Sequence, residues 1–123
     1  MSTSDSSNSP KLKGQDLCKA IEVFLDENKA SEMLTLDLRN RSFLADFMVI
    51  ANGISHRHVG AMAEKLKELL HKSGIKPVFT EGQSECNWVL VDAGDVIVHL
   101  FYPEARELYK LENMWSVEDQ DNE

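Results

Sequence analysis

Cysteine is scarce in this chain. Cys18 and Cys86 are the two in 123 residues, far apart and without C-x-x-C spacing, so neither a zinc site nor a disulfide framework is indicated and a reducing, cytoplasmic setting is expected. Long hydrophobic runs are missing as well: nothing approaches the roughly 20 apolar residues of a membrane helix. The opening MSTSDSSNSP has neither the apolar core of a secretory signal nor the arginines of a transit peptide. Positive charge is in deficit, with 13 Lys and Arg against 21 Asp and Glu and a net charge of −8. Non-specific attraction to a phosphate backbone is therefore disfavoured, and direct nucleic-acid binding is not expected. A protein partner with a basic patch is easier to accommodate. From Glu104 onward seven acids face Arg106 and Lys110, so most of the excess lies at the C-terminus.

What is present suits one domain, since 123 residues with 42% hydrophobic content can build one core. Residues 1–13, rich in Ser, Asn and other small residues, offer too little to bury and read as a disordered leader. A domain is expected over 14–115, followed by an acidic flexible tail over 116–123. From Gln15 to Asn28, Leu17, Ala20, Ile21, Phe24 and Leu25 fall on one face of an amphipathic helix. EMLTLDL (Glu32–Leu38) and DFMVIA (Asp46–Ala51) read as a strand pair joined through RNRS. A second helix follows, with Ser55 as its N-cap, Val59, Met62, Ala63, Leu66, Leu69 and Leu70 as its apolar stripe, and Gly74 as its stop. PVFTEG, NWVLVDA and DVIVHLFY are three further strands, the last two joined tightly at Ala93–Gly94. Pro103 opens a short final helix that ends near Asn113. The order αββαβββα, with a crossover helix that favours one parallel pair, predicts an α/β (α+β) fold with a five-stranded mixed sheet flanked by helices. Strand five is largely apolar on both faces, so an interior position covered on both sides is expected.

Several residues have both a chemical and a structural reading. His99 is a lone imidazole on an apolar strand face, more often a hydrogen-bonded structural residue than a general base. Asp92 and Asp95 could form a carboxylate metal pair, yet D-x-G-D at a hairpin tip is also what turn chemistry requires. GISHRH (Gly53–His58) enters a helix N-terminus, a place suited to anions, but it lacks the glycine pattern of a phosphate-binding loop. His56 and His58, two apart, make a poor metal pair, and a cap with polar surface is the simpler meaning. Trp88, Phe101, Tyr102, Tyr109 and Trp115 exceed what a short final helix can hide, and surface Tyr and Trp are favoured anchors for protein recognition.

Two stretches, DLRNRSFLADFMVIANGISHRHVGAMAEKL and GQSECNWVLVDAGDVIVHLFYPEARELYKLENMW, and the spacing between them, resemble the ribosomal silencing factor family, also called Iojap-related, from about Gly14 to Trp115. The resemblance implies a nucleotidyltransferase-like fold without enzymatic activity or cofactor. It also implies binding to ribosomal protein uL14 of the large subunit, steric blocking of subunit joining when nutrients are scarce, and a homodimer in the free state. The family's W-V-x-x-D-x-G-D-V-x-V-H-x-F falls on Trp88, Val89, Asp92, Gly94, Asp95, Val96, Val98, His99 and Phe101. Its P-E-x-R-x-x-Y-x-L-E-x-x-W falls on Pro103, Glu104, Arg106, Tyr109, Leu111, Glu112 and Trp115. The surface for uL14 is accordingly expected from Trp88, Asp92, Gly94, Asp95, His99, Tyr102, Pro103, Glu104, Arg106, Tyr109, Leu111 and Glu112, with acids such as Glu104 and Glu112 facing basic groups. Ile54 and His56 depart from the family's usual GTSSRH. The alternative is a nucleotidyl-transfer or phosphate-handling enzyme of the same fold. That chemistry needs a D-x-D pair on a strand to hold two metals, and none of the expected strands carries one.

Overall fold

The computed structural model describes residues 14–41, 45–75, 79–82 and 85–109, with the backbone alone for 107–109. The elements are α1 (Gly14–Glu27), β1 (Ser31–Asp37), β2 (Phe47–Asn52), α2 (His56–Lys72), β3 (Phe79–Glu81), β4 (Trp88–Asp92), β5 (Val96–Phe101) and α3 (Pro103–Tyr109). They follow the αββαβββα order expected from periodicity and turn residues. The leader, the tail and the stretch in which the last helix was expected to end all lie outside the described residues.

The five strands form one mixed sheet in the order β1-β2-β5-β4-β3. β1 pairs with β2, β4 with β5 and β3 with β4, all antiparallel. Among the described residues the single parallel pair is β2 with β5, running in register from Phe47 opposite Val96 to Asn52 opposite Phe101. β5 thus lies at the centre, between the two hairpins, as its apolar character on both faces requires.

One face of the sheet packs against α1 and α2. α1 buries Leu17, Cys18, Ile21 and Leu25, while α2 buries Val59, Met62, Ala63, Leu66 and Leu70. Both meet Val49, Ala51, Val89, Val91, Val96, Val98 and Leu100 from alternate strand positions, and these make the main core. The second face carries a smaller cluster of Leu38, Met48, Ile50 and Phe101, against which Leu36, Trp88 and Ala105 of α3 pack. α2 follows β2 on the first face and α3 follows β5 on the second. The carboxyl ends of the two parallel strands therefore send their helices to opposite sides, the arrangement that opens a crevice at a sheet's switch point.

Local signals account for the element boundaries. Ser55 Oγ accepts the His58 N–H at 3.0 Å and caps α2, and Gly74 takes φ +85° just past the helix end. At the start of β1, Glu32 has φ +52° and the register slips between Ser31 and Leu34, a bulge that turns the carbonyl of Glu32 towards α3. Gly82 is needed for space as well as for its φ of +87°, because a Cβ there would lie 2.2 Å from the carbonyl oxygen of Trp88.

Candidate functional site

The chemistry-bearing side chains gather at the two ends of β4 and β5. At one end is the β4–β5 turn. Ala93 N–H donates to the Val96 carbonyl at 2.9 Å, so the central residues are Gly94 and Asp95, one position later than the expected Ala93–Gly94. Gly94 has φ +89° and Asp95 does not share that sign, the pattern of a type II′ turn. Asp92 Oδ1 accepts the Gly94 N–H at 2.8 Å. Asp95 Oδ2 accepts the Gly14 N–H at the start of α1, and the Asp95 carbonyl takes the N–H groups of Asp46 and Phe47. Each carboxylate is committed to a different part of the backbone, which favours the turn reading over a metal pair. Among the described residues, no group of three or more His, Cys, Asp or Glu is placed to hold a metal ion.

At the other end, the histidines of GISHRH are architectural. His58 Nδ1 accepts the Ile54 N–H at 2.9 Å, so the ring proton sits on Nε2, which donates to the Asn28 carbonyl at 2.8 Å. His58 thereby ties the entrance of α2 to the end of α1. His56 Nε2 donates to Asn87 Oδ1 at 2.8 Å, and its ring stacks on Tyr102 with centroids 4.1 Å apart. The Asn87 carbonyl in turn accepts the Tyr102 N–H. On the opposite side of the same strand end, Arg106 Nη1 donates to Asn52 Oδ1 at 3.0 Å and to the Glu32 carbonyl at 2.5 Å. The chain from Tyr102 to Arg106 is held from both faces of the sheet.

Between the two ends lies His99, 5% exposed. Its Nδ1 accepts the indole N–H of Trp88 at 2.8 Å, and Trp88 stacks on Phe101 at 5.2 Å. Burial lowers the imidazole to about 4, so it is uncharged at neutral pH. Buried, and with Nδ1 taken by the indole N–H, His99 has the environment of a structural residue. Its hydrogen bond runs across the ladder, to Trp88, the first residue of β4. The Cys18 thiol is pushed up to about 11 by burial and then by Glu22 and Asp37, the reverse of what activates a cysteine nucleophile.

Comparison with known proteins decides what this arrangement belongs to. The family described as "Ribosomal silencing factor during starvation" matches residues 11–123. This chain belongs to the ribosomal silencing factor family. A ribosomal silencing factor from Zymomonas mobilis is 43% identical over 107 residues, covering 87% of this chain and 80% of the relative. One from Halalkalibacterium halodurans is 36% identical over 104 residues, covering 85% and 89%. A crystal structure of a Chromobacterium violaceum protein superposes with a TM-score of 0.81 at 34% identity, covering 85% of this chain and 88% of that one.

The surface that the silencing-factor resemblance implies is divided by the fold. Asp92, Gly94 and Asp95 lie at the turn end. Trp88, Tyr102, Pro103, Glu104 and Arg106 lie at the other end, with Pro103 and Glu104 exposed and the other three half-buried. β5 separates the groups by six residues, roughly 20 Å. The side chain of Tyr109, and Leu111 and Glu112, lie outside the described residues. Asn52, Asn87 and the role of His56 went unread in the sequence. Asn52 sits in the apolar run FMVIAN before Gly53, where NG passes for a plain turn signal, and nothing local marks its partner 54 positions away.

Proposed function

We propose that this protein is a non-enzymatic, cytoplasmic repressor of translation that binds the large ribosomal subunit through uL14 and blocks the approach of the small subunit by occupying its place. The observation that carries this reading is the family match along residues 11–123. The charge of the chain supports a protein contact: a net −8 opposes ribosomal RNA and favours a basic protein surface. The docking surface is centred on the Trp88 and Tyr102 end of the sheet, where two half-buried aromatic side chains stand beside the exposed Pro103 and Glu104. The turn end, with Asp92, Gly94 and Asp95, lies about one strand length away. It falls within the breadth of a standard interface of roughly 800 Å² per partner and serves as its margin. Tyr109, Leu111 and Glu112 extend the surface, and the free protein is a homodimer.

Sedimentation of the purified protein with isolated large subunits, and then with both subunits, tests this. Co-migration with the large subunit and loss of joined ribosomes are expected, with Trp88→Ala and Tyr109→Ala weakening the association while the domain stays folded. Failure to co-migrate at low salt would refute the ribosomal reading. Unchanged affinity in both variants would refute the placement of the surface.

A further inference from the structure

A docking aromatic is useful to a partner in proportion to how firmly it is held, and Trp88 is held by a buried histidine. We propose that His99 is a positioning residue for partner binding, fixing through Nδ1 the one orientation in which Trp88 presents its indole. This deepens the docking reading and rests on it.

The indole N–H can only donate, and the imidazole can accept only at a nitrogen without a proton. The 2.8 Å bond from Trp88 Nε1 to His99 Nδ1 therefore places the ring proton of His99 on Nε2. Phe101 adds a steric limit, with its ring 5.2 Å from that of Trp88 at 25°. Turning the indole over would keep some of this stacking but leave two polar groups without each other, the acceptor on a residue only 5% exposed. Each such group carries its own desolvation penalty. Trp88 itself is half-buried, so one edge is fixed while part of the ring remains available. A side chain ordered before contact does not lose its rotamer freedom on contact, and affinity gains by that amount. His99 never reaches the partner in this scheme; it acts through Trp88.

The full chain has two tryptophans, Trp88 and Trp115, hence two indole N–H signals in an NMR spectrum, and Trp88→Phe identifies which is which. The expected wild-type signal of Trp88 is shifted downfield and protected from exchange. His99→Phe keeps a planar aromatic ring, somewhat larger than imidazole, and removes the acceptor. It should abolish both properties and weaken binding to isolated large subunits about tenfold, the usual scale for losing a well-held anchor. Adding it to Trp88→Phe should cause no further loss. His99→Asn, which offers Oδ1 near the position of Nδ1, should restore most of the signal and the affinity. Should His99→Phe fail to fold, His99→Gln takes its place, because its carbonyl reaches the Nε2 position rather than the Nδ1 position. An unaltered indole signal, wild-type affinity after loss of the bond, or losses that add to those of Trp88→Phe would each overturn the proposal. Normal binding by the wild type together with a neutral Trp88→Phe would overturn it and leave the ribosomal reading standing. No binding by the wild type would remove both.

Discussion

Replacing Arg106 by leucine withdraws one guanidinium from two acceptors that lie far apart in the sequence, and the size of the effect can be worked from their surroundings. The Glu32 carbonyl belongs to an exposed residue and can return to water at little cost. Asn52 cannot, because it is 7% exposed and its Oδ1 received the arginine at 3.0 Å. A hydrogen bond to a charged group contributes about 1.5–3 kcal/mol, and a buried acceptor left without its donor costs about 1–3 kcal/mol. Leucine retains part of the packing of the arginine stem, so the expected loss is about 2 kcal/mol. For a domain of this size that is roughly 10 °C in Tm, or close to 1 M in the urea midpoint. Asn52→Leu alone should cost a similar amount, and the double variant should cost less than the sum, because both polar groups then leave together. Urea titration followed by circular dichroism measures all three. A stability for Arg106→Leu within about 0.5 kcal/mol of wild type, or strictly additive losses, would refute the view that Arg106 pins α3 to the sheet.

Other outcomes follow from single residues. The imidazole of His99 lies near 4 when folded against 6.5 when free. The unfolded chain therefore binds the extra proton first, and stability should be full above pH 6.5 and decline by about 3 kcal/mol as the pH falls to 4. Denaturation midpoints across that range should slope in the wild type and flatten in His99→Phe. Gly82→Ala forces a Cβ to within 2.2 Å of the Trp88 carbonyl at a φ of +87°. It should cost several kcal/mol, more than about 1–3 kcal/mol for the backbone strain alone, and disturb the Trp88 indole signal; a neutral effect on melting would contradict the close approach. Ile21→Ala, at a fully buried position in α1, should lose 2–5 kcal/mol in urea titration. Cys18, buried with its thiol near 11, should resist iodoacetamide at pH 8 until the protein is unfolded, and rapid labelling of the native state would count against that burial.

The order of elements was legible because α1 and α2 repeat apolar residues at helical spacing and β5 is largely apolar on both faces. Ser55, Gly74 and Pro103 marked their boundaries by local chemistry that needs no partner. The position of β5 between β2 and β4 was not legible to the same degree. Val96 and Phe47 are adjacent only after folding, and a valine beside a phenylalanine bears no label for strand direction. The turn was placed one residue early because Ala93 and Asp95 both suit a position next to Gly94. The bond from Ala93 to Val96 settles it. His56 and His99 had the clearest chemical look and proved to be holders of Tyr102 and Trp88. Imidazole serves for both tasks, and the difference lies in a neighbour that sequence spacing does not specify.

The place of β5 has a consequence for how the chain reaches its native state. β1–β2 and β3–β4 are each two-stranded hairpins, a form that is marginal in water by itself, and no ladder joins them directly. The last of the described strands is the one that welds them, pairing Phe47 with Val96, far away in the sequence. Cooperative folding must wait for residues 96–101, and rates should be governed by that late, non-local pairing. A nascent or truncated chain ending before Val96 would hold two separate hairpins with exposed inner edges, prone to stick to one another or to other strands. This chain would thus become fold-competent only once the β5 segment, residues 96–101, has been made.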